Sequence, residues 1–127
     1  MKIYRTQKEI EADIKDGVLT VDEDVKFEVS FKISAALKIA GNIVAGNIDA
    51  GDIDAGNINA WNIDAWNIDA RDIVARDIVA WNIVAWNIDF FALAFAHVSF
   101  KCKSIKGRRE NAKYGCLDSE VIIENKV

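Results

Sequence analysis

This 127-residue chain has no uninterrupted apolar run of 18 or more residues, so nothing in it reads as a membrane-spanning helix. Its first residues, MKIYRTQKEIEADIKDG, lack the apolar stretch of a secretory leader, and a cytoplasmic location is the expectation. Cysteine is scarce. Cys102 and Cys116 are too few for a disulfide framework or a multi-cysteine metal site, and two reduced, partly buried thiols are expected. His97 is the only histidine, with no ligand partner at metal-binding spacing. A nucleophile elbow, a phosphate loop, HExxH and paired-cysteine motifs are all missing, so no catalytic residue, metal or cofactor is assigned and no small-molecule substrate is expected.

What is present is a five-residue clock. Ile stands at positions 43, 48, 53, 58, 63, 68, 73, 78, 83 and 88, and Leu93 and Val98 extend the series to twelve units. On an α-helix, at about 100° per residue, these positions would scatter around the cylinder. In extended chain, Ile and the Ala two residues later share a side, as Ile63 does with Ala65, and this pair is read as the inward one. Two inward residues cannot bury themselves. Turning the chain after each unit and stacking the turns makes a solenoid with one continuous core.

The frame resembles that of the pentapeptide-repeat proteins, whose unit is written A(D/N)LXX. The matching residues are the apolar centre and the Asn or Asp before it: Asn42, Asn47, Asp52, Asn57, Asn62, Asn67, Asp72, Asp77, Asn82 and Asn87. The resemblance implies an all-β fold, a right-handed parallel β-helix of about three to four four-sided coils, with four units to a coil. It departs where the family has a small inward residue, because that place holds Gly41, Gly46, Gly51 and Gly56, then Trp61, Trp66, Arg71, Arg76, Trp81 and Trp86. Stacked Arg inside an apolar core would be unpaired buried charge, so the variable letter is placed outside. Residues 20 apart then stack: Trp61 under Trp81, Trp66 under Trp86, and Asp49, Asp69 and Asp89 in one acidic column. Arg71 and Arg76 interrupt the other two faces, which gives a tryptophan side and a charged side.

The ends read as caps on one domain: residues 1–39 lead in, 40–100 form the repeat and 101–127 close it. Thr6 with Glu9 is a capping box, Ile10 and Ile14 recur at helical spacing and Gly17 is a stop, which predicts a short helix over 7–16. Val25, Phe27, Val29, Phe31, Ile33 and Ala35 alternate with polar residues as a half-buried strand. Phe90, Phe95 and Phe100 replace the inward Ala as a terminal plug, His97 falls in the outward Asn/Asp column, and Leu117 to Glu124 reads as a last strand.

Charge divides along the chain. Residues 41–100 carry 2 basic and 8 acidic groups, whereas residues 101–127 carry 7 and 4. Lys101, Lys103, Lys106, Arg108, Arg109 and Lys113 make a basic loop, read as a solvated edge guard, a grip for phosphate or an acidic partner, or a segment folded back on the acidic column.

The leading functional expectation is a non-enzymatic structural or protein-interaction scaffold that self-associates through the exposed tryptophans, with no membrane partner and no direct nucleic-acid binding. The family resemblance implies an alternative, since some pentapeptide-repeat proteins mimic duplex DNA and bind DNA gyrase. GNIVAGNIDAGDIDAGNINA also resembles the turns of bactofilin-like β-helices, which implies end-to-end polymers.

Overall fold

The computed structural model describes residues 1–124. The chain forms β1 Lys2–Tyr4, α1 Gln7–Ala12, β2 Val18–Val21, β3 Val25–Phe27, β4 Phe31–Lys32, β5 Ala36–Ile39, β6 Ile43–Val44 and β7 Asn47–Asp49. It continues through β8 Ile53–Asp54, β9 Ile58–Asn59, β10 Asn62–Asp69, β11 Asp72–Val84, β12 Asn87–Cys102, β13 Ser104–Gly107, β14 Lys113–Cys116 and β15 Val121–Ile123. Every strand-to-strand ladder among them is parallel and in one sheet that winds on itself. The fold is an all-β parallel solenoid of about six turns, with a short N-terminal helix.

The pairing register corrects the size of the coil. Asn62 pairs with Asp77, Ile63 with Ile78 and Asn67 with Asn82, a step of 15 residues. Three units therefore close one turn, and the four-sided coil with its step of 20 is replaced by a three-sided one. Face A stacks β1, β3, β6, β9 and the first parts of β11 and β12, ending on β13. Face B stacks β4, β7 and the middle strands up to β14, and face C runs from β2 through β5 and β8 to β15. A register test follows. Cysteines at Asn67 and Asn82, adjacent on face C, will link on oxidation because parallel neighbours sit within the about 4.4–6.8 Å Cα range of disulfides, whereas cysteines at Asn62 and Asn82 will not. Peptide mapping under non-reducing conditions reads the outcome.

The inward phase is as expected from the sequence. All ten Ile from Ile43 to Ile88 are buried, the Ala two positions later lies at or below 9% exposure at every unit through Ala85, and among the described residues no polar or charged one is buried. A side chain that repeats every turn packs on its own kind, so each Ile gains apolar contact from the coils above and below. Outside the core, the Asn or Asp before Ile forms hydrogen-bonded ladders from coil to coil. On face C, Asn67 Nδ2 donates to Asp52 at 2.8 Å, Asn82 Nδ2 to Asn67 at 2.6 Å and Ser99 Oγ to Asn82 at 2.7 Å. Each amide both donates and accepts, which fixes the order of the coils without burying a polar group.

The ladders begin well before residue 40. Val25, Phe27, Phe31, Ile33 and Ala35 are inward, but their run is broken at the corner into β3 and β4, two sides of one turn rather than a single lead-in strand. α1 takes the place of face B in the first turn. The capping box of Thr6 and Glu9 is formed, Ile10 is fully buried, and the helix stops at Ala12, shorter than the expected 7–16. Gln7 finishes the edge of β4: its Nε2 donates to the Lys32 carbonyl at 2.8 Å and its Oε1 accepts from the Lys32 N–H at 3.3 Å. One side-chain amide thus stands in for the peptide of an absent strand. Asp16 and Gly17, at φ +53° and +77°, turn the chain back toward β2. Tyr4 donates to Asp13 at 2.8 Å, and this bond holds the Asp13 carboxyl below its usual range, while burial pushes the Tyr4 hydroxyl up.

The last third departs from the clock. β12 carries one extra residue opposite Arg76 and another opposite Trp81, so its register shifts between Ala75 and Asp77 and again between Ala80 and Asn82. Leu93 and Val98 are consequently exposed, and Ala94 and Phe100 take the inward places above Ile78 and Ile83. Phe90 and Phe100 plug the core as expected, but Phe95 stands outward on Val79. Cys102 is buried and free, and burial pushes its thiol up to about 11, with Glu124 adding to the shift; Cys116 is a second free thiol, half-buried.

Candidate interaction surfaces

The variable letter of each unit falls at a corner, where the backbone bends and the side chain points to solvent. Corner A, before face A, stacks Gly41, Gly56, Arg71, Trp86 and Lys103; corner B stacks Gly46, Trp61, Arg76 and Phe91; corner C stacks Gly51, Trp66, Trp81 and His97. Glycine belongs to the lower corners for a steric reason seen best at Gly41. A Cβ there would run into the Asp24 carboxylate oxygen that accepts the Asn42 N–H, and into the Asp24 main-chain nitrogen at 2.8 Å.

The tryptophans are exposed, Trp61 at 63%, Trp66 at 62%, Trp86 at 49% and Trp81 at 46%, but they do not form one side. Trp61 lies under Arg76 rather than Trp81, and Trp86 lies over Arg71 rather than Trp66. Only Trp66 and Trp81 share a corner, with ring centroids 5.6 Å apart and planes 16° from parallel. His97 continues that stack, 5.1 Å from Trp81 and edge-on to Phe95 at 5.3 Å. It is therefore a corner residue, and Ser99 occupies the Asn/Asp column in its place. With Val79 and Phe95 on one flank and Val84 and Val98 beside them, the upper half of corner C is an apolar ridge.

Corners A and B are built differently. Trp86 is held between Arg71, 5.4 Å from its ring centre, and Lys103 at 4.2 Å. Phe91 is held between Arg76 at 5.7 Å and Arg108 at 5.9 Å. Each sandwich contributes about 0.5–1 kcal/mol per exposed cation and fixes where the charges stand. Arg108 is further tied by its Nη2 donating to the Ala75 carbonyl at 3.0 Å and by an ion pair of its Nε with Asp89 at 2.7 Å. The N–H is not aimed at that oxygen, so Asp89 Oδ1 stays without a hydrogen bond.

The acidic column is also redistributed. Asp49, Asp69 and Asp89 lie on faces B, C and A respectively. Asp49 stacks with Asp64 above Lys32, Asp69 with Asp54 above Lys38, and Asp89 sits between Val74 and Lys106. Of the basic loop, Lys106 belongs to β13 on face A, Arg108 and Arg109 follow it at corner B, and Lys113 begins β14 against Leu93. The fold-back is realised by Arg108 alone, onto Asp89.

Reading the sequence in steps of 20 missed the cation–aromatic sandwiches, and the unbroken five-residue frame put His97 in the Asn/Asp column instead of at corner C. A step of 15 places Arg71 beside Trp86 and Arg76 beside Phe91, and the loss of Asn before Leu93 and Val98 marks where the frame slips. Two open surface depressions have similar volumes, one of about 430 Å³ lined by Ala92, Leu93, Arg109, Asn111 and Lys113 and one of about 420 Å³ bordered by Lys38, Asn42, Asp54 and Arg71. Among the described residues no three His, Cys, Asp or Glu converge as a metal site, and no helix is long and apolar enough to cross a membrane. Compared with protein-family models, with curated proteins and with solved structures, the chain matches none.

Proposed function

We propose that this protein is a non-enzymatic scaffold that associates with further copies of itself through corner C. The stacked, exposed Trp66 and Trp81 carry this reading, because aromatic side chains in a rigid apolar ridge lose little conformational freedom when a partner covers them. A straight ridge can meet its own copy about a two-fold axis, the commonest closed arrangement. Light scattering at about 500 mM salt, where charge contacts are screened, tests it: the parent should exceed monomer mass, Trp66→Ser with Trp81→Ser should return it to monomer, and Trp61→Ser should not. Monomeric parent protein at high concentration would sink the reading.

Kinship with the pentapeptide-repeat proteins rests on the frame alone, since a coil of three units differs from the four-unit coil of that family. Duplex-DNA mimicry needs negative charge running along the rod. Here the paired aspartates end after two coils and the upper corners are basic. End-to-end stacking is a second reading, favoured by the last coil, whose inward Ile105, Val121 and Ile123 are only partly buried. Electron microscopy showing filaments would select it over lateral pairing.

A further inference from the structure

The upper half of face A and its two corners gather Arg71, Lys103, Lys106, Arg76 and Arg109, none of which has a carboxylate within 4 Å among the described residues. Across the rod, the lower half of corner C is flanked by Asp49 and Asp64 on face B and by Asp54 and Asp69 on face C. These four likewise have no cation within 4 Å among the described residues. Parallel neighbours in a sheet are about 4.8 Å apart. Stacked carboxylates at that distance repel by roughly 1 kcal/mol even in water, and a partner cation would relieve it. Lys32 and Lys38 stand one strand below Asp49 and Asp54, and Asp72 and Asp89 lie on face A, so each surface keeps a net charge of one sign, and a three-sided rod places a face opposite the corner it does not touch.

We infer that the basic face A of one copy receives the acidic lower corner C of the next, so that copies associate side by side with an axial offset. This rests on the reading that the chain binds itself, and adds a second, electrostatic contact to the aromatic one. Because the two surfaces lie on opposite sides of one molecule, a single pair leaves one of each unused, and the contact propagates instead of closing. A single-stranded nucleic acid fits the basic face less well. Base stacking needs a free aromatic ring, and both sides of Trp86 and of Phe91 are taken by cations.

Sedimentation velocity of the full chain at about 20 mM and about 500 mM salt, where the screening length falls from about 20 Å to about 4 Å, tests this. Species larger than a dimer should form at low salt and fall back at high salt. A variant reversing the basic face (Lys103→Glu, Lys106→Glu, Arg109→Glu) and one neutralising the ridge (Asp49→Asn, Asp54→Asn, Asp64→Asn, Asp69→Asn) should each self-associate at least about tenfold more weakly, which is about 1.4 kcal/mol. Mixed, they should form a one-to-one pair, since each keeps the surface the other has lost. Trp66→Ser with Trp81→Ser should keep the salt-dependent step, which separates failure of the aromatic contact from failure of this one. Parent assembly that ignores salt, or a mixture that stays dissociated, overturns the inference. So does a single-stranded oligonucleotide that binds the basic face while the chain alone remains unassociated, an outcome that assigns the face to nucleic acid. The parent's salt response needs no variant, so misfolding of either one leaves the inference open to refutation.

Discussion

Replacing Ile73 with Asp will unfold the upper solenoid. Ile73 has no exposed surface and stacks between Ile58 and Ile88 on face A, where the inward neighbours along the strand are Ala75 and, around the corner, Ile78. A carboxylate there has no partner, since among the described residues no polar or charged one is buried in the core. Burying it unpaired costs several kcal/mol after relaxation, comparable with the about 5–15 kcal/mol that holds a whole domain together. Ile73→Ala removes only methylene groups and should cost about 2–5 kcal/mol, at the upper end because a coil clamped by ladders above and below cannot collapse onto the void. Chemical denaturation followed by far-ultraviolet circular dichroism distinguishes the two. A native-like spectrum and unchanged midpoint for Ile73→Asp would mean that Ile73 faces solvent and the inward phase is wrong. The solenoid also dictates how the damage spreads: each coil touches only its neighbours, so the lower coils with their helix cap should outlast the upper ones.

That phase was legible because it is local. In extended chain the alternation of sides is set residue by residue, and a five-residue clock with Arg at one letter leaves only one inward pair free of charge. The coil size was not legible, because five divides both 15 and 20 and every multiple keeps Ile on Ile. The family resemblance supplied the larger value. What decides it is how sharply the backbone bends at Gly41, Gly46 and their successors, a property of the corner that the core letters do not encode. All surface geometry hangs on that number. With a step of 20, the tryptophans line up and the aspartates form a column; with 15, Trp86 goes to its cations, and Trp66, Trp81 and His97 make the aromatic ridge. The capping box of Thr6 and Glu9 was legible for the opposite reason, since its partners are three residues apart and depend on nothing distant. Gln7 was not, because its role appears only once Lys32 is known to present an open strand edge above it.

Phe90→Ala should cost about 3–5 kcal/mol, close to the effect of Ile73→Ala although Phe90 lies only one coil from the end. The reason lies in the coil above it. Phe90 takes the place of an inward Ala over Ala75, and its register partner in β13 is Gly107, which has no side chain to offer. The Phe90 ring fills that space: a Cβ on Gly107 would lie 3.0 Å from Phe90 Cζ and closer still to Ala112. Tyr114 then covers the ring edge-on, with centroids 6.1 Å apart. Truncation therefore opens a void bounded by a glycine, a position with no atoms to move inward. Phe90→Leu restores part of the volume and should recover more than half of the loss, whereas Gly107→Ala in the parent should itself destabilise, by overpacking. Paired with Phe90→Ala, the added methyl still meets Ala112 but no longer meets the ring, so the double variant should be more stable than the sum of the single changes by about 0.5–3 kcal/mol. Urea midpoints for the four proteins close the cycle. Strict additivity would show that Phe90 does not pack against Gly107, and that the last coil is closed by something other than this ring.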